Sequence, residues 1–262
     1  MKKFTKLTAF ALALVMALGL LAGCGGSNSD NSTPSGDDAS DAAKTKLVVA
    51  TSPDFPPFES LEGGEVVGIE VDILNKIAEK MGMELDIQQM DFDSVIPGVQ
   101  AGKFDVGMSG ITVTDKRKEN VDFSSVYFMA AQAIVVTADS GITGKADLEG
   151  KKVSVQTGTT AEEYCMSNGY EVLAFTANND AAAALTSGKV DAWVVDNEVA
   201  LAMAPELGLT VLDEAMTSEP YAFAFQKGSE LVVPFNEALD ALLADGTVEK
   251  IFQQYGVTYI AP

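Results

Sequence analysis

Short runs of β-branched and aliphatic residues alternate with helical apolar stripes from about residue 46 onward, and this alternation restricts the fold more than any other feature. Leu47–Ala50, Leu85–Ile87, Asp105–Ser109, Ala133–Val136, Lys152–Gln156, Val172–Phe175, Val190–Val195 and Tyr221–Gln226 read as strands. Between them lie stretches with apolar residues three or four apart. In Glu70–Met81, Val71, Leu74, Ala78 and Met81 share one face and Gly82 is a stop signal. Ser94–Ala101, Thr160–Asn168, Asn179–Ser187, Asn197–Ala204, Ser229–Leu243 and Thr247–Tyr255 read as further helices, and Thr51–Asp54 as a turn. Such alternation predicts an α/β fold with parallel sheets covered by helices.

The N-terminus differs. Lys2, Lys3 and Lys6 precede an apolar run, Leu7–Leu21, broken only by Thr8, and the run ends at Leu21-Ala22-Gly23-Cys24. Charge and length mark residues 1–23 as a signal peptide, too short for a comfortable membrane span. The ending resembles the lipobox of bacterial lipoproteins, which implies a diacylglyceryl group on Cys24 and cleavage before it. The alternative is an ordinary cysteine after an ordinary signal peptide. Residues 24–44 are rich in Gly, Ser, Asn, Asp, Thr and Ala and read as a flexible tether, reaching roughly 25 Å on average by square-root scaling.

Composition removes several function classes. The chain contains no histidine, so Ser-His and Cys-His nucleophile systems are excluded and the commonest metal ligand is missing. Besides Cys24 there is only Cys165, so no intramolecular disulfide or cysteine metal cluster is expected. A formal net charge of −21 argues against a nucleic-acid partner. No metal or cofactor is expected, and an enzyme is not the favoured reading.

Several segments then match a known pattern in order and spacing: Thr51-Ser52-Pro53-Asp54-Phe55-Pro56-Pro57-Phe58-Glu59, Gly68-Ile69-Glu70-Val71-Asp72-Ile73, Met90-Asp91-Phe92 and Gly110-Ile111-Thr112-Val113-Thr114-Asp115-Lys116-Arg117. Val121-Asp122-Phe123-Ser124, Gln156-Thr157-Gly158-Thr159-Thr160 and Val190-Asp191-Ala192-Trp193-Val194-Val195-Asp196 complete it. From about Lys46 to Gly256 the chain resembles the extracellular solute-binding proteins of family 3, the amino-acid receptors of ABC importers. One departure is Glu70, where that family more often has Asp. The resemblance implies a two-lobe, type II periplasmic-binding-protein-like fold with two hinge strands. Lobe 1 would be 45–130 plus 222–262 and lobe 2 would be 133–219, with hinges near Phe128–Gln132 and Tyr221–Phe223. It further implies a monomer that captures a free amino acid by hinge closure. The receptor would be held outside the cell membrane by its lipid anchor alone and would deliver its ligand to the permease's transmembrane subunits. The rival readings are a sensor component that presents its ligand to a receptor, and a dehydratase-like enzyme on the same fold.

Arg117 is the chain's only arginine. Its planar fork can hold a carboxylate bidentately, although a solvated place in the run Lys116-Arg117-Lys118 is the plainer reading. The resemblance assigns Arg117, Thr112 and Gly110 to the ligand's carboxylate and ammonium. Thr159/Glu162 and Thr160/Glu163 both have capping-box spacing at a helix start, where an anion is favoured. Asp196, leaving an apolar strand, is either a counter-ion for the ammonium or the cap of the following helix. By resemblance, Phe55 and Phe92 flank the ligand side chain, with Ser52, Asp54, Ser109 and Gln156 as polar contacts. Asp54 is open to an Asx-turn role beside Pro53. The expected ligand is polar or basic: arginine, lysine, histidine or glutamine.

Overall fold

The computed structural model describes residues 45–262, so the signal peptide, Cys24 and the tether lie outside the described residues. Two α/β halves stand on two separate five-stranded sheets. In the first sheet, Lys46–Thr51 pairs in parallel with Glu84–Gln89 on one side and Val106–Gly107 on the other. Ala224–Gln226 then runs antiparallel to both Val106–Gly107 and Val121–Phe123. Leu47 and Val49 face the helices Ile69–Met81, Val232–Ala244 and Thr247–Gln254, whereas Ala50 faces the helix Phe92–Gln100. That alternation is the period-2 rule of a strand buried on both faces.

The second sheet has the order Glu171–Phe175, Lys152–Gln156, Ala192–Asp196, Gln132–Val136 and Thr210–Val211. Its first three strands are parallel and its last two pairings antiparallel. Ala133, Val135, Trp193 and Val195 pack on one face, while Ile134, Val136, Ala192 and Val194 pack on the other with Cys165. Cys165 is fully buried and its thiol is pushed up to about 12 by desolvation. The chain crosses between halves twice, through Phe128–Ala130 and Glu219–Tyr221, which pair antiparallel as a separate ribbon.

Three expectations need correction. The sheets are mixed rather than parallel: the strand that follows each crossing, Gln132–Val136 in the second sheet and Ala224–Gln226 in the first, runs against its neighbours. Tyr221–Gln226 is two strands, Glu219–Tyr221 in the ribbon and Ala224–Gln226 in the first sheet, broken where the chain changes sheets. The segment after Thr51 is not only a turn. Asp54–Phe55, Glu59–Glu62 and Glu65–Val67 form a three-stranded antiparallel sheet, closed by Gly63-Gly64 with φ of 60° and 95°. Two consecutive positive φ values are what a tight hairpin requires, and Gly-Gly was the readable signal. Among the described residues, no helix is long and apolar enough to cross a membrane.

Candidate functional site

Where the two sheets face each other, Phe55, Phe92, Ser109, Gly110, Thr112, Arg117, Gln156, Thr159, Thr160 and Asp196 line one cavity. Its volume is about 10 Å³, room for about one water, so an amino acid fits only if the cavity widens. Ten of the twelve residues expected from sequence therefore meet around it. Ser52 and Asp54 do not line it.

Arg117 lies in the short helix Asp115–Lys118, whose start is fixed by Thr114 Oγ1 accepting from the Arg117 N–H at 3.1 Å. Lys116 and Lys118 are exposed, but Arg117 is half-buried, with its guanidinium 5.6 Å from the centre of the Phe92 ring. It donates from Nη1 to the Thr112 carbonyl at 2.9 Å and from Nη2 across the cleft to the Gly158 carbonyl at 3.1 Å. Desolvation lowers its pKa, opposed by Glu163, Glu219 and Asp196. A guanidinium has five N–H donors, so most remain for a ligand anion.

Thr159 caps the helix Thr160–Ser167, accepting from the Glu162 N–H at 3.2 Å and donating to the Gln156 carbonyl at 2.7 Å. Glu162 returns not to Thr159 but to the Gly158 N–H, at 2.7 Å. The alternative box at Thr160/Glu163 does not form. Thr160 Oγ1 instead accepts from Gln132 Nε2 at 3.3 Å, and Glu163 pairs with Lys116 across the cleft.

Asp196 sits at the N-cap of the helix Asn197–Met203, yet its side chain makes no capping bond. Its carboxyl is buried inward, accepting from Gln132 Nε2 at 2.9 Å and from the Tyr221 hydroxyl. Desolvation, then the neighbouring Glu219, push its pKa up to about 7, against the lowering effect of those two hydrogen bonds. An added cation would satisfy this acid directly.

On the first half, Gly110 has φ of 53°, and a Cβ there would sit 2.5 Å from the Phe55 ring. Glycine is required by both the angle and the approach. The Ser109 hydroxyl donates to Glu59 Oε1 at 2.8 Å and accepts from the Ser52 N–H at 3.1 Å. Phe55 and Phe92 keep a small exposed edge, whereas Phe58 is wholly buried against Phe128, Tyr221 and Phe252.

Asp54 makes no Asx turn with its own segment. It accepts from Ser52 Oγ at 3.0 Å and then reaches the other half, accepting from the Asn178 N–H at 2.7 Å and from Gln156 Nε2 at 3.3 Å. Burial raises its pKa, opposed by those bonds. Ser52 and Asp54 thus form a tie between the halves beside the cavity, because the hairpin that carries Asp54 faces the start of the helix Asn178–Thr186.

Sequence reasoning did not single out Gln132, Tyr221 and Glu219, which surround Asp196, nor Glu59 and Glu70, which lie behind Ser109 and Gly110. Only Glu70 carried a signal, as the departure from the expected Asp. The cavity thus gathers a cationic fork, a helix start, a buried acid and two aromatic rings. Among the described residues no acid or cysteine cluster could hold a metal ion.

This chain is 35% identical to the arginine-binding extracellular protein ArtP of Bacillus subtilis, over 90% of this chain and 92% of that one. Its fold matches an ancestral arginine-binding protein solved bound to glutamine, with a TM-score of 0.77 and 41% identity over 81% of this chain and 98% of the other. It also matches the arginine-, lysine-, histidine-binding protein ArtJ of Geobacillus stearothermophilus, with a TM-score of 0.77 and 33% identity over 83% of this chain and 96% of the other. A sequence profile covering residues 47–258 completes the assignment: the chain belongs to the bacterial extracellular solute-binding proteins, family 3.

Proposed function

We propose that this protein is an extracytoplasmic lipoprotein receptor of an ABC importer, anchored by Cys24, which captures a free polar L-amino acid between its lobes and passes it to the permease without transforming it. The observation that carries this reading is one cavity with Arg117 and the start of the helix Thr160–Ser167 near one another and the buried Asp196 also facing it. A zwitterion offers the complement of both: its carboxylate to the guanidinium and helix start, its ammonium to Asp196. Neither lobe alone presents the full set, so binding energy favours closure.

The side chain would meet Phe55, Phe92, Ser109 and Gln156. Two aromatic faces and an amide suit a planar polar group, and a guanidinium gains cation-π attraction as well. With Asp54 engaged in the tie between lobes, arginine and glutamine are the favoured ligands. Names of related proteins point the same way.

Thermal unfolding of the purified protein against a panel of free amino acids tests this directly. A ligand at 100 times its Kd should stabilise by about 2.7 kcal/mol. If none of the twenty shifts the transition, the amino-acid reading is wrong.

A further inference from the structure

Behind the cavity wall lie two fully buried acids, Glu59 at the start of the strand Glu59–Glu62 and Glu70 in the first turn of the helix Ile69–Met81. They hold consecutive residues of the wall. Glu59 Oε1 accepts from the Ser109 hydroxyl at 2.8 Å, and Glu70 Oε2 accepts from the Gly110 N–H at 2.9 Å. Glu70 Oε1 accepts from the Tyr127 hydroxyl. One atom is left over. Glu59 Oε2 is enclosed and has no hydrogen-bond partner among donor groups. Its charged or titratable neighbours are Glu70 and Asp54, both acids, and Tyr127 lies beyond Glu70.

Two carboxylates buried side by side with no cation cannot both carry charge, because each would pay the desolvation cost and repel the other. A single proton resolves the hydrogen-bond account. Both Glu70 oxygens already accept, whereas Glu59 has one oxygen unused, so the proton belongs on Glu59. We propose that Glu59 is a protonated carboxylic acid whose Oε2–H donates to Glu70, and that this acid pair is the positioning device that holds Ser109 and Gly110 in the binding wall. The raised pKa of Glu59, driven by burial first and Glu70 second, agrees. The Glu70 side chain reaches from the first turn of its helix to the Gly110 N–H and the Tyr127 hydroxyl. The positioning role rests on the amino-acid reading above; the protonation does not.

The test separates the two. An infrared difference spectrum of the purified protein against Glu59→Gln, taken near neutral pH in H₂O and D₂O with no amino acid added, reads the protonated carboxyl alone. We expect a carboxylic C=O band that shifts in D₂O and is lost in Glu59→Gln. Its absence from that difference overturns the proposal whatever the protein binds, because the band of the partly protonated Asp196 is common to both proteins and cancels. Calorimetry with L-arginine reads the positioning role. Glu59→Leu should bind about tenfold more weakly, since Ser109 loses its acceptor and Glu70 its donor. Glu59→Gln, which keeps an acceptor and a donor, should recover most of that loss. Equal losses in both variants, or none in Glu59→Leu, would refute a positioning role.

Discussion

Arg117 commits two of its donors to the backbone carbonyls of Thr112 and Gly158, and the rest of its fork remains for an anion. Those two bonds aim the guanidinium rather than exhaust it. Arg117→Ala should therefore weaken amino-acid binding by at least about 100-fold, the scale of two charge-assisted bonds, and shift the unfolding midpoint little. Titration calorimetry and a thermal melt check both halves of that expectation, and retained affinity would place the carboxylate elsewhere. Asp196 makes a second prediction. Its pKa of about 7 lies above its ordinary value near 3.9, so the folded state holds a proton that the unfolded chain has released between those limits. The stabilising contribution of the protonated form is complete below about pH 4 and is lost as pH rises through about 7. Wild type should lose stability relative to Asp196→Asn over that window, seen in melts at several pH values. A bound ammonium would ionise Asp196, so affinity should fall below about pH 7, and binding near neutrality should release a proton. Calorimetry in buffers of different ionisation enthalpy measures that release. No net proton release would contradict the counter-ion role.

At the scale of elements, the hairpin Asp54–Phe55/Glu59–Glu62 performs three tasks within a few residues. Phe55 reaches the cavity, Glu59 supports its back wall, and Asp54 grips the start of the helix Asn178–Thr186. A carboxylate at the start of a helix is favoured by the unpaired N–H groups there. Asp54→Ala removes the acceptor shared by Asn178 and Gln156, a loss of about 1–3 kcal/mol that favours lobe separation. Small-angle scattering should show a larger radius of gyration for the variant in buffer, and an unchanged radius would mean the tie does not hold the lobes. This tie also shows where sequence reading stops. The helix Ile69–Met81 was legible because its apolar spacing and Gly82 are local signals, and the start of Thr160–Ser167 because Thr159 and Glu162 lie three apart. Asp54 was legible as a polar residue in a matched motif but not as a tie, since Asn178 lies 124 residues away and no local pattern encodes that pairing. Gln132, Tyr221 and Glu219 around Asp196, and Glu59 behind Ser109, escaped notice for the same reason.

For the whole molecule, the chain builds one sheet, leaves for a second and returns, so two crossings form the ribbon of Phe128–Ala130 and Glu219–Tyr221. Tyr221 belongs both to that ribbon and to the hydrogen-bond shell of Asp196. The alternation of strands and helices announced α/β layers but could not announce mixed sheets, because strand direction depends on the route of the chain between halves. The ordered motifs carried the two-lobe layout through their family resemblance, but not the strand directions. The proposed membrane attachment rests on the N-terminal sequence, which lies outside the described residues. Cys24→Ser should therefore move the protein from the membrane fraction to the medium, as cell fractionation and immunoblotting would show. Persistence at the membrane would exclude Cys24 as the anchor.

The burial of Cys165 has a practical consequence. A thiol reacts as its thiolate, and one pushed to about 12 inside the second sheet's core is nearly inert near neutral pH. The only other cysteine in the sequence is Cys24. Once Cys24 is replaced, a cysteine introduced on the rim of the cleft becomes the sole position that a maleimide dye can label. The receptor can then be made into a fluorescent reporter of its own ligand without first removing its native buried thiol.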